Sequence, residues 1–138
     1  MDALTATMKI AGSGLEAQSN RLRIVSENMA NAQSTARVAG GDPYQRKTLS
    51  FIAELDRHSG ANLVKSDLVG LDYSAFPTEY DPGNVAADDT GHVKMPNVNV
   101  LVEMADMREA NRSYEANLQV VKQVRSMVTM TLEMMRPS

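Results

Sequence analysis

Residues 98–135 read VNVLVEMADMREANRSYEANLQVVKQVRSMVTMTLEMM. Val100, Met104, Met107, Asn111, Tyr114, Leu118, Val121, Arg125, Val128, Leu132 and Met135 recur there at alternating steps of four and three. Those steps keep side chains on one side of a helix, because a turn takes 3.6 residues. Two polar residues, Asn111 and Arg125, interrupt the stripe. Pro96 and Asn97 precede the segment and Pro137 follows it, as suits the start and stop of a helix. Arg108, Glu109, Arg112 and Glu115 give it a charged outer face. At 1.5 Å per residue the helix would be about 55 Å long, whereas a compact globule of this chain length is about 37 Å across. The chain cannot wrap it. Its stripe needs another terminal helix, another copy of the chain, or a relative.

The other end of the chain carries a matching pattern. Leu4, Met8, Ala11, Leu15, Gln18, Leu22, Val25, Met29 and Ala32 again alternate by four and three, with Gln18 the one polar member. Asp2 or Thr5 can cap its start. Gly12 and Gly14 lie inside the pattern, and each costs about 1 kcal/mol against Ala in a helix. Such a helix is marginal alone and orders when packed. Gly and Ala on this stretch also allow another backbone to approach closely.

Residues 36–97 differ in kind. They hold six of the eight Gly and four of the five Pro. Thr48 to Phe51 alternates polar and apolar, as a short strand does, and Asn62 to Leu71 is a second strand candidate. Asp81-Pro82-Gly83 and Asp89-Thr90-Gly91 read as turns. The expected fold is mainly α. Long N- and C-terminal helices pair as an antiparallel coiled coil, and a small β-rich or irregular insert lies between them. The divisions fall at 1–35, 36–97 and 98–138.

The 138 residues suffice for one domain. The chain is 43% hydrophobic but only 4% aromatic, with no Trp, so any globular core is small. Six of the ten Met lie in the last 35 residues, either filling a helix seam or forming a surface that adapts to several partners. There is no Cys, so neither disulfides nor thiolate metal sites are expected. No apolar run approaches the length of a membrane span, and the first ten residues lack the layout of a cleaved secretory signal. The net charge of −3 arises entirely within residues 36–97, which carry nine acids and six bases; both ends balance to zero. No basic patch exists to hold a nucleic acid.

Chemistry-bearing patterns are equally sparse. Asp88, Asp89 and His92 place carboxylates near an imidazole, but the flanking Glu79, Asp81 and Asn84 do not complete a zinc or calcium ligand set. Gly12-Ser13-Gly14 has no preceding strand and no following Lys, so it is not a phosphate loop. No Ser or Thr sits in a nucleophile elbow. The expectation is a non-enzyme without cofactor, metal or small-molecule substrate.

Several blocks in order point to a family. Ser26-Glu27-Asn28-Met29-Ala30-Asn31-Ala32, running on to Thr35, resembles the Asn-rich signature near the N-terminus of flagellar axial proteins of the rod and hook. Asp42-Pro43-Tyr44-Gln45-Arg46-Lys47 is similar to the Pro-Tyr stretch of one subgroup. Tyr80 to Gly83, then Ala87-Asp88, Gly91, Val93 and Pro96 to Asn99, resemble its central block. Glu103-Met104 and Ala110 to Asn117 resemble its C-terminal helix signature. Asn84-Val85 and His92 depart from that subgroup, which builds the proximal rod. The resemblance implies a structural subunit of the bacterial flagellar basal body, in the rod that crosses the periplasm. It implies export without a cleaved signal, through the flagellar type III apparatus. The implied partners are copies of the chain itself and other rod proteins. The candidate assembly residues are Leu15, Leu22, Val25, Asn28, Met29 and Asn31 at one end. At the other they are Met104, Met107, Asn111, Tyr114, Asn117, Leu118, Val121 and Val128. The amides of Asn28, Asn31, Asn111 and Asn117 would bridge helices and fix register. A different rod subunit, or a cytoplasmic coiled-coil adaptor, are the competing readings.

Overall fold

A computed structural model of the chain describes residues 3–137. Two long helices bracket six short strands. Helix α1 spans Ala3–Ala30 and α2 spans Val100–Met134. Their 28 and 35 residues correspond to about 42 and 52 Å. Helix α2 begins where Asn99 caps it: the Asn99 Oδ1 accepts the Leu101 N–H at 3.1 Å. Helix α1 ends at Ala30, where the Asn31 amide turns back to donate to the Glu27 carbonyl at 2.9 Å.

The strands are β1 (Lys47–Thr48), β2 (Phe51–Leu55), β3 (Asn62–Ser66), β4 (Gly70–Leu71), β5 (Thr78–Tyr80) and β6 (His92–Lys94). They form three separate antiparallel pairs, β1 with β4, β2 with β3, and β5 with β6. Each candidate strand read from the sequence divides in two. Leu49-Ser50 separates β1 from β2, and Asp67 to Val69 separates β3 from β4. The turn at Asp81-Pro82-Gly83 is closed by the Asn84 N–H to the Asp81 carbonyl, and the turn ending at Gly91 by its N–H to Asp88.

The chain divides into two compact units, each drawing on both helices and the strands. The first comprises residues 3–22, 50–67 and 108–137, and the second residues 23–49 and 68–107. In the first, the β2–β3 hairpin lies on α1. Ser13 Oγ accepts the Val64 N–H at 3.1 Å, Asn20 donates to Ser66 Oγ at 2.9 Å, and Lys9 reaches Asp56 at 3.0 Å. Gly60 closes the hairpin loop with φ +69°, a conformation that costs Gly little. Ala11, Ala17, Ala110 and Val124 are its buried apolar residues. The second unit buries Ile24, Val25, Ala32, Ala86 and Val93, together with two polar side chains, Asn28 and Glu103. No described helix is long and apolar enough to cross a membrane.

Candidate assembly interface

Within the first unit the two helices run past each other in opposite directions. Leu4 and Thr7 line one groove with Val120, Val124 and Met127. Further along, Gly14 faces Asn117, and Arg21 meets Glu109 at 3.5 Å. A Cβ at Gly14 would stand 2.6 Å from the Asn117 amide nitrogen, so the missing side chain is what lets α2 come this close. The stripe read along α1 lies inward: none of its members from Leu4 to Ala32 is exposed.

The stripe read along α2 is displaced. Among the buried and half-buried residues of α2, Glu103, Met107, Ala110, Tyr114, Asn117, Val121 and Val124 form one series. That series again alternates by four and three, but three of the positions predicted from the sequence give way to the residue before them. Met104, Asn111 and Arg125 are exposed while Glu103, Ala110 and Val124 are buried. Leu118 remains half-buried beside Asn117. Small Ala110 fits where the helices are close, and a charged Glu103 can be buried because a cation meets it.

Of the candidate assembly residues, Val25 and Asn28 are buried. Leu15, Leu22, Met29 and Asn31 are half-buried on α1, as are Met107, Tyr114, Asn117, Leu118 and Val121 on α2. Met104, Asn111 and Val128 are exposed. Asn28 and Asn31 have partners inside the chain. Asn28 Oδ1 accepts from the Lys47 N–H at 2.9 Å and from the Tyr44 hydroxyl at 2.7 Å, while its Nδ2 donates to the Lys47 carbonyl. Asn31 Oδ1 accepts from Ser34 Oγ at 3.0 Å. These amides therefore join α1 to the segment that follows it.

The sequence reading gave no role to the group around Arg46, although Arg46 and Glu103 both stand in quoted motifs. Arg46 Nε bonds Glu103 Oε1, its Nη1 lies 3.4 Å from Asp72, and its backbone N–H donates to Asn97 Oδ1. The Asn97 amide in turn donates to the carbonyls of Asp72 and Ser74. Glu103 is 0% exposed, and no described donor reaches its Oε2. Burial opposes the Arg46 charge, but the Glu103 bond and charge, with Asp72, more than offset that and raise its pKa. Bonds from Ser74 lower the Asp72 carboxyl, with Arg46 adding to the effect. Burial, then Glu27 and Glu103, raise the Tyr44 hydroxyl. The whole group is a polar lock. Among the described residues, no cluster of three or more His, Asp or Glu could hold a metal.

By Val128 the seam has reached the first turns of α1. Leu4 and Met8 still meet Val124 and Val128, close to the beginning of α1, while α2 continues to Met134. Its last two turns expose Met130, Leu132 and Met134, the last at 87%.

Comparison with known proteins gives a consistent result. Residues 89–134 match the family model described as flagellar basal body rod FlgEFG protein C-terminal. The chain is 62% identical over 138 residues to the flagellar basal-body rod protein FlgC of Agrobacterium fabrum, covering 100% of this chain and 99% of that one. It is 42% identical to the FlgC of Salmonella typhimurium, over 94% of this chain and 96% of the other. With the FlgC of Borreliella burgdorferi the identity is 32%, over 96% and 98%.

Proposed function

This chain belongs to the FlgC family of flagellar basal-body rod proteins, and we propose that it is a structural subunit of the proximal rod that polymerises through its two terminal helices. The observation that carries the reading is the uncovered apolar end of α2, past the last residues of α1 that flank it. A helix end with this composition gains by burial, about 25 cal/mol for each Å² of apolar surface removed from water. Its neighbours in the assembly are copies of the chain and other rod proteins. The paired part of α1 and α2 acts as an antiparallel coiled coil, and Met104, Asn111 and Val128 face adjacent subunits. Many such helices side by side resist torsion, as a drive shaft requires. The role is structural, not enzymatic. The subunit leaves the cytoplasm through the flagellar export apparatus, without a cleaved signal, and ends in the rod within the periplasm.

The test is an in-frame deletion complemented in turn by the intact gene and by Met130→Ser/Leu132→Ser/Met134→Ser. Basal bodies are imaged and secreted hook protein is assayed. The expected result is a truncated rod without hooks in the deletion, rescue by the intact gene, and no rescue by the triple variant. Complete hook–basal bodies in the deletion strain would remove the rod reading. A stable cytoplasmic dimer independent of concentration would then favour the adaptor.

A further inference from the structure

The β2–β3 hairpin has an open edge that the helix seam does not use. The Asp56 N–H bonds the Ala61 carbonyl and the Asp67 N–H bonds the Ser50 carbonyl, one at each end of the ladder. Alternation between these ends turns the backbone groups of Ile52 and Glu54 toward β3, and those of Phe51, Ala53 and Leu55 away from it. Strand β3 is the one against α1, through the Ser13 and Asn20 bonds. The outward N–H and C=O groups of β2 have no partner among the described residues. All five residues of β2 are exposed, Leu55 by 59%. Edge strands are ordinarily blunted by Pro, a bulge or several charges. Strand β2 has no Pro, its register is continuous, and its one charge, Glu54, is held by Lys65 at 3.0 Å.

We propose that β2 pairs edge to edge, antiparallel, with β2 of a second copy of this chain, centred on Ala53. The residue pattern selects this occupant and this register. Centred on Ala53, each Phe51 stands opposite the Leu55 of the other copy, and the two Ala53 residues meet in the middle. All three outward positions of each strand then find backbone partners, and both large apolar residues find apolar ones. Sliding the strands by two residues one way sets Glu54 against Glu54, a like-charge pair. Sliding them the other way leaves Phe51 opposite Ala53 and takes Leu55 past the end of β2. In the proposed register the Glu54 of one copy lies on the same face as the Lys65 of the other, with only Ile52 between.

Five paired residues make an interface well below the standard size, so the dimer is weak, with a dissociation constant on the order of 10⁻⁵ M. A two-fold contact is closed and cannot propagate. It therefore forms pairs of free subunits and masks the β2 edge in them, which is independent of the rod reading above.

Sedimentation velocity on the full chain, over a concentration series spanning that constant, is expected to show a monomer–dimer equilibrium. Ala53→Pro removes only an outward N–H and leaves the hairpin ladder intact. It is expected to weaken the dimer by about 30-fold, because each pair loses two hydrogen bonds. The absence of Cys gives a second readout that does not depend on that variant folding. Ala53→Cys chains are expected to cross-link to one another. Phe51→Cys chains should cross-link to Leu55→Cys chains faster than either does to itself. A chain that stays monomeric throughout overturns the proposal. So does a dimer that well-folded Ala53→Pro leaves unchanged, or cross-linking that ignores this register.

Discussion

The two compact units are held by opposite means. The second, with residues 23–49 and 68–107, buries Asn28 and Glu103 and ties them to Tyr44, Lys47 and Arg46. The first, with residues 3–22, 50–67 and 108–137, buries Ala and Val and leaves Met130, Leu132 and Met134 mostly in solvent. A polar lock has directional bonds and one solution. An apolar seam of small residues is tolerant, and its unburied remainder is available to other chains. On the reading proposed above, the difference gives one short chain a fixed part and a part that is completed by assembly.

The sharpest way to break the comparison is at Glu103. Glu103→Leu leaves the Arg46 guanidinium largely buried without its main counter-charge, and breaking such a pair costs about 3 kcal/mol or more. Denaturant unfolding is expected to record that loss, with amide exchange rising first in residues 23–49 and 68–107. Arg46→Lys keeps the charge but not the planar fork that spans Glu103 and Asp72, and should fall between wild type and Glu103→Leu. Exchange rising equally in both units would mean that the lock belongs to the whole chain.

Asn28→Ala comes next. It deletes three hydrogen bonds and leaves the Lys47 N–H and carbonyl unpaired near a buried site, at a cost of about 2 kcal/mol. Acid should act in the same direction, more weakly. Asp72 and Asp88 are both lowered, by bonds from Ser74 and from Thr90 respectively. A carboxylate with a depressed folded-state pKa contributes stability above its unfolded pKa, near 4. That contribution disappears as pH falls below this value toward the folded pKa. The thermal midpoint is expected to drop across that window, and Asp72→Asn should flatten the drop.

The two helical glycines separate packing from propensity on a smaller scale. Nothing lies within 4 Å of a Cβ built at Gly12, so Gly12→Ala should stabilise by up to about 1 kcal/mol. At Gly14 the same change presses on Asn117, and the helix gain is spent moving that amide. Equal gains in thermal midpoint at both positions would show that Gly14 is not needed for the close approach.

The helices were legible in the sequence because a period of four and three survives through Leu4 to Ala32 and Val100 to Met135. The inward face of α2 was not fully legible. At Asn111 and Arg125 the repeat keeps its phase only by accepting polar residues, whereas the chain buries Ala110 and Val124 beside them. Ala gives no hydrophobic signal, and Glu103 gives the wrong one. Strands β5 and β6, three residues each and mostly exposed, are too short to show alternation. The lock was invisible for a different reason: Arg46 and Glu103 are 57 residues apart, and no local pattern couples them.

The smallest stability effect should accompany the largest functional one. Met130→Ser/Leu132→Ser/Met134→Ser removes apolar groups that are mostly in water already, so the isolated chain loses little buried area. Each of the three changes should shift the free energy of unfolding by no more than about 0.5 kcal/mol, the usual range for an exposed position. If the end of α2 is completed only by a neighbouring subunit, the same three changes must still abolish rod assembly. A variant that unfolds in isolation would show that these residues are covered within the free chain, and the contrast between a fixed unit and an assembly-completed one would fail.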